Sequence, residues 1–216
     1  MNDSSTKSSR RKLLAFIGAL GISWHRAWAA ALLPTPRQTS GPFYPERLPL
    51  DDDNDLTRVK GRNGVAAGRI TDLTGRVLDT GGHAVAGARV EIWQCDANGR
   101  YHHSRDHRDV PLDENFQGHG HTVSDAQGGY RFRTIRPVPY PGRTPHIHIL
   151  VLVPGAQRLI TQLYIEGEPR NAEDFVFKSV PAERRSLVVA AFRPASGGAE
   201  LSARFDLVVG GTPDQT

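Results

Sequence analysis

One cysteine in 216 residues, Cys95, excludes an intrachain disulfide and leaves no thiolate cluster for zinc. Cys95 falls in or just after a strand-like stretch and is expected as a small buried hydrophobe, not a nucleophile. No apolar run is long enough to cross a bilayer as a helix. Helical periodicity is nowhere strong, which argues against a bundle. An excess of one charge is also missing once the chain is divided. Residues 1–29 carry Lys7, Arg10, Arg11, Lys12 and Arg26 against Asp3, which is the whole formal +4; the remaining 22 basic and 22 acidic residues cancel. A neutral domain gives no electrostatic case for nucleic acid.

Residues 1–29 have the pattern of an export signal. A polar, basic start precedes a short apolar stretch over 13–24, and Ala27-Trp28-Ala29 fits a small-x-small cleavage site. Ser9-Arg10-Arg11-Lys12-Leu13-Leu14 resembles a twin-arginine signal. The expectation is an exported protein, periplasmic or secreted, with no membrane span in its mature form. Residues 30–65 read as an extended arm and linker. The acidic run Asp51-Asp-Asp-Asn-Asp55 is not an EF-hand loop, because Leu56 and Arg62 stand where Gly and Glu are required, so a solvated loop is expected.

Residues 66–216 read as one all-β domain. Strands are expected over 68–78, 88–94, 129–135, 146–153, 158–165, 186–192 and 199–209, with a helical turn or two over 172–177 and 181–185. Turn chemistry separates the strands at Thr80-Gly-Gly, Asp96-Ala-Asn-Gly99, Asp125-Ala-Gln-Gly-Gly129 and Ser196-Gly-Gly. Short strands at this spacing, with 22 Gly and 15 Pro, argue a two-sheet β-sandwich. Residues 102–121 are expected as a long loop, and such loops are often functional.

His146-Ile-His148 opens an apolar run, and side chains two apart on a strand share a face, so both imidazoles can address one metal. Pro137, Pro139, Pro141 and Gly142 form a stiff loop that brings Tyr140 and Arg143 near them. Tyr101 follows the Asn98-Gly99 turn. Two phenolates and two imidazoles suit Fe(III), whose charge favours the ionised phenol. Zinc would prefer thiolate with imidazole, and a facial Fe(II) triad needs a carboxylate that this motif lacks. His119-Gly-His121, expected in the loop, is a competing pair.

Thr39-Ser-Gly-Pro-Phe-Tyr-Pro45, Gly75-Arg-Val-Leu-Asp79, Gly87-Ala-Arg-Val-Glu-Ile-Trp-Gln94, Asp96-Ala-Asn-Gly-Arg-Tyr101 and Tyr140 with Arg143-Thr-Pro-His146-Ile-His148 together resemble the intradiol ring-cleavage dioxygenases; Gln157-Arg-Leu-Ile-Thr-Gln-Leu-Tyr164 extends the likeness. The likeness is nearest to the protocatechuate 3,4-dioxygenase type and covers roughly residues 37–166. It implies a β-sandwich with long active-site loops and Fe(III) held by Tyr101, Tyr140, His146 and His148. It also implies that a small aromatic diol is cleaved with O₂ to a cis,cis-muconate-type diacid. Tyr140 would take up substrate protons and Arg143 would stabilise developing negative charge. Gly41, Pro42 and Gln162 would line the substrate pocket, and a homo-oligomer is possible within such a family. Three departures stand out: His146 follows Tyr140 by only six positions, a shorter gap than in typical protocatechuate enzymes; the helical N-terminal region of catechol 1,2-dioxygenases is not expected here; and export is expected, whereas the usual enzymes act in the cytoplasm. A rival resemblance, over about residues 70–135, is to non-catalytic carboxypeptidase-regulatory or prealbumin-like binding modules. It leaves Arg143-x-x-His146-x-His148 without a purpose.

Overall fold

In the computed structural model, residues 31–46, 51, 53–155 and 158–210 are described; the basic leader, its cleavage site and Gln157 lie outside them. Among the described residues, ten strands form two five-stranded sheets. One is built on β1 (Ile70–Asp79), with β4 (Gly129–Ile135) antiparallel along one edge. Along its other edge run β9 (Leu201–Arg204) and β10 (Leu207–Val209), both parallel to β1, with β8 (Arg193–Pro194) outside β9. The second sheet has the order β3 (His119–Val123), β2 (Arg89–Trp93), β5 (His146–Leu152), β6 (Arg158–Ile165) and β7 (Val189–Ala190).

Alternation decides what lies between the sheets. Leu73, Val77, Phe132 and Leu207 from the first sheet meet Val90, Ile92, Ile147, Ile149, Val151 and Leu163 from the second in one buried core. The intervening residues of the second sheet, Glu91, Trp93, His146, His148, Leu150 and Gln162, point to its outer face. That face is buried too, because residues 31–46 run across it. Gln38 N–H donates to the Ile160 carbonyl at 2.8 Å and Thr161 Oγ1 to the Pro36 carbonyl at 2.8 Å. Phe43 and Tyr44 pack on Trp93, Cys95, Tyr101 and Leu150 as a second, smaller cluster. Burial pushes the Cys95 thiol up to about 12, so it sits in this cluster as an inert apolar side chain.

Four sequence expectations change. The residues expected as one strand over 199–209 form two, because the chain bends at Phe205 and Asp206, where Asp206 Oδ1 accepts the Arg76 amide at 2.9 Å. The stretch 186–192 is largely a 3₁₀ turn, Ala182–Val188, started by the Arg184 amide on the Pro181 carbonyl at 2.8 Å; only Val189 and Ala190 pair as strand. The long loop ends at residue 118, not 121. His119–Val123 is a strand, and the His121 amide donates to the Asp53 carbonyl at 2.8 Å. Gly120 permits this close approach, since a Cβ there would lie 2.3 Å from that carbonyl oxygen. Finally, Asp55 in the acidic run is not simply solvated: it bridges to Arg133 of β4, and its carboxylate holds the Thr57 amide at 3.0 Å. The helical turns fall where expected, with α1 at Phe175–Ser179.

Gly75 holds the bend together. A Cβ there would sit 1.8 Å from the Phe205 carbonyl oxygen and 2.7 Å from the Tyr130 hydroxyl that hydrogen-bonds to that same carbonyl. Gly75→Ala is therefore expected to lower stability by about 3 kcal/mol or more. A denaturant midpoint within about 0.5 kcal/mol of wild type would show that the bend yields without strain.

Candidate metal centre

Strand register lines up one row of side chains across the outer face of the second sheet. His119 is opposite Trp93, Trp93 opposite His148, and His148 opposite Gln162. Trp93 lies flat on the His148 ring, with centroids 4.8 Å apart and planes within 6°. His146, two residues earlier on β5, is on the same face, and the two Nε2 atoms converge to 3.2 Å. The His146 Nδ1 lies 2.7 Å from the Thr144 carbonyl, which can only accept, so Nδ1 carries the proton and Nε2 the lone pair. Burial, aided by the nearby Arg143 charge, pushes His146 down to about 3; burial also holds His148 well below the ordinary imidazole range. Both rings are thus neutral, the form in which they bind a metal.

Tyr101 and Tyr140 arrive from loops. Asp96 Oδ1 accepts the amides of Asn98 and Arg100, each at 2.9 Å, and Gly99 takes φ +77° to close the turn. The Tyr101 amide is then held by Asp106 Oδ2 at 2.7 Å. Tyr140-Pro-Gly-Arg143 is a type II turn, with Gly142 at φ +79° and the Arg143 amide 2.9 Å from the Tyr140 carbonyl. This turn sets Arg143 Nη1 3.4 Å from the Tyr140 hydroxyl. The tyrosine rings lie edge to face, 5.6 Å apart; Tyr101 is 6.3 Å from His148 and Tyr140 5.5 Å from His146 by ring centroids. Burial raises the pKa of both phenols, and Arg143 opposes the rise at Tyr140.

The sequence-derived residues therefore meet in one place. Gly41, at φ +66°, comes so close to His148 that a Cβ would lie 3.3 Å from Cε1. Pro42 follows it, its carbonyl accepting Arg105 Nη2 at 2.7 Å. Gln162 is fully buried and engaged by protein: Oε1 accepts Arg143 Nη2 at 2.5 Å and the Tyr164 hydroxyl at 3.0 Å, and Nε2 donates to the Thr39 carbonyl at 2.9 Å. His119 does not join the centre. Its Nε2 lies 3.2 Å from Glu91 Oε2, on the far side of Trp93.

Several residues escape the sequence reading. Asp174 is the most consequential. Its Oδ2 accepts Arg143 Nε at 2.8 Å and the Thr144 amide at 3.0 Å, while Oδ1 caps α1 through the amides of Val176 and Phe177. Burial raises its pKa, but the Phe177 amide and the guanidinium more than offset this and hold the carboxyl below its ordinary value. One carboxylate thus orients both the guanidinium and the segment entering His146. Arg108, paired with Asp106, stands 5.0 Å from the Tyr140 ring centre. Tyr44 donates to Glu91 Oε2 at 2.8 Å and meets Trp93 edge-on. The available signals were the Asp before Phe175-Val-Phe-Lys and the alternation placing Glu91 with Trp93.

The residues fit a trivalent cation. Two imidazole Nε2 atoms converge to 3.2 Å, and the buried Tyr101 hydroxyl has no hydrogen-bond partner among the described residues. An orphaned buried hydroxyl is costly unless something satisfies it, and a cation that ionises the phenol would do so. Among the described residues no cluster of three His, Cys, Asp or Glu is placed to hold a metal, so any centre here depends on the phenols.

A family model described as "Dioxygenase" matches residues 39–211. The protocatechuate 3,4-dioxygenase beta chain of Burkholderia cepacia is 41% identical over 74% of this chain and 72% of its own length. A hydroxyquinol 1,2-dioxygenase of Nocardioides simplex is 32% identical over 78% of this chain, which spans 62% of that relative's length. Among solved structures, the dioxygenase domain of a dioxygenase carbohydrate-binding protein fusion from Streptomyces sp. SirexAA-E superposes with TM-score 0.62 at 30% identity, covering 82% of this chain and 98% of that one.

Glu91 supplies a test of the outer-face packing. Burial raises its pKa, but hydrogen bonds from His119, Arg89 and Tyr44 prevail and bring it down to about 2. A lowered folded pKa stabilises above the unfolded value, and that stabilisation is lost as pH falls towards the folded value. Glu91→Gln should cost about 3 kcal/mol at pH 7, and the gap to wild type should close between about pH 4.5 and 2. A gap independent of pH in denaturant titrations would contradict the role assigned to this carboxylate.

Proposed function

The chain belongs to the intradiol ring-cleavage dioxygenase family, and from that premise we propose that it holds Fe(III) through Tyr101, Tyr140, His146 and His148. In this reading it cleaves a catechol-type diol with O₂, inserting both oxygen atoms to give a cis,cis-muconate-type diacid. The observation that carries the proposal is the convergence of two neutral imidazole nitrogens, 3.2 Å apart, beside an orphaned buried phenol. Ferric iron bound there would withdraw electron density from a coordinated diolate and open a ring carbon to O₂.

The chain's own residues divide the remaining work. Tyr101, fully enclosed and anchored by Asp106, is suited to remain a fixed ligand. Tyr140 is only half-buried, on a proline–glycine turn beside Arg143, and is the residue whose phenolate, ionised when the cation is bound, would be suited to take a proton from a substrate hydroxyl and return to the neutral phenol. Arg143, held by Asp174 and Gln162, presents a fixed positive charge where negative charge develops on the ring. Gly41 and Pro42 close the site from the arm, and Gln162 acts by positioning Arg143. Catechol, protocatechuate and hydroxyquinol define the diol class. Export through a twin-arginine signal belongs to the same proposal and rests on residues 1–29. The alternative, a non-catalytic binding module, leaves the convergence of the four ligands unexplained.

Three variants separate the roles. His148→Ala should lose iron, measured as metal per protein after purification; full occupancy would remove His148 from the centre. Tyr140→Phe should keep part of its iron while ring cleavage falls sharply. Arg143→Ala should keep iron but lose about a hundredfold in kcat; wild-type turnover would reduce the arginine to a structural part.

A further inference from the structure

The arm packs against the proposed metal centre through Gly41 and Phe43. A cleft of about 510 Å³ is lined by Tyr140, Arg143 and the rest of the turn 139–144 together with Arg170, Glu173 and Asp174. Cavities of roughly 300–1,000 Å³ enclose ligands of drug size, well above a single-ring diol. The short Tyr140–Arg143 turn leaves its mouth clear: a Cβ built on Gly142 would find nothing within 4 Å. The lining also balances its charge, with Arg143 and Arg170 against Glu173 and Asp174. A carboxylated ring gains little in such a field.

Phe175 does not line this cleft but stands beside it, against Arg143. It is 67% exposed, the most exposed large apolar residue among the described residues, and its ring lies 5.5 Å from the Arg143 guanidinium carbon. Its other side borders a second depression formed with Arg37, Gln38 and Thr39 of the arm. An aromatic ring presented this way offers a stacking surface one step beyond the guanidinium that faces the reacting ring.

We propose that the surface leading from this cleft past Arg143 onto Phe175 is a subsite for the remote part of an uncharged, multi-ring diol: the reacting catechol ring sits at Tyr140 and Arg143, and an aryl substituent extends over Phe175. The inference rests on the dioxygenase reading above and narrows its substrate to aryl-substituted catechols. Phe175 is then a specificity-determining residue.

The test compares kcat/KM for catechol, 3,4-dihydroxybenzoate and 4-phenylcatechol on the iron-loaded protein and on Phe175→Ala. Inhibition by phenol and by 4-phenylphenol serves as a binding readout that needs no cleavage. Phe175 is exposed, so its truncation leaves the core untouched, and a thermal melt verifies that the variant folds. The expected result is a preference of about tenfold for 4-phenylcatechol over either single-ring diol, with a matching preference for 4-phenylphenol as inhibitor. Phe175→Ala should reduce both ratios by about fivefold. Cleavage of catechol as fast as, or faster than, 4-phenylcatechol would overturn the subsite and leave the dioxygenase reading standing. A preference untouched by Phe175→Ala would overturn the assignment of the second ring to this surface. Cleavage of none of the three diols would overturn both readings together.

Discussion

A strand buried on both sides needs a cover on each, and β5 is the strand on which this molecule turns. Six of its seven residues are buried. Ile147, Ile149 and Val151 are covered by the opposite sheet, while His146, His148 and Leu150 face outward. The cover on that side is an arm with no regular structure, pinned by backbone and glutamine hydrogen bonds and by two aromatic rings. Imidazoles under such a lid lose their water and are driven neutral. Desolvation therefore both closes the site and puts its nitrogens in the ligating form.

The same constraint explains why so much of the polar chemistry is internal. Gln38 reaches from the arm to the Gln162 amide at 3.0 Å and to the Tyr164 hydroxyl at 2.8 Å. Gln162 passes the connection to Arg143, and Arg143 to Asp174. Asp174 in turn caps α1 and fixes Thr144, whose carbonyl sets the His146 tautomer. Every link is a satisfied group, buried or half-buried, which gives the guanidinium a single orientation. On the opposite flank Glu91, Tyr44 and Trp93 hold the His148 ring flat. The centre is thus gripped from both ends of one row across the sheet.

Much of this was legible in the sequence because alternation and turn chemistry are local. The His-x-His spacing and the Pro141-Gly142 turn specify local geometry and set Tyr140, Arg143, His146 and His148 near one another, whereas Tyr101, after the turn at Gly99, joined them only through the resemblance to the intradiol dioxygenases. Less could be read where tertiary contacts decide. His119-Gly-His121 looks like a loop until the Asp53 carbonyl is seen against Gly120. The bend at Phe205 depends on a glycine 130 positions earlier, through the Arg76–Asp206 contact beside it. Asp174 is an ordinary helix cap by sequence, and only the fold brings Arg143 to its second oxygen.

The measurement that bears most directly on the centre is the visible spectrum of the purified, iron-loaded protein before and after anaerobic addition of a catechol. Phenolate bound to Fe(III) gives a reddish charge-transfer band. The four-residue centre predicts that band, and a shift when the diol binds. Stoichiometric iron in a colourless protein, unchanged by the diol, would mean that Tyr101 and Tyr140 do not bind the metal and that their meeting with His146 and His148 serves packing alone.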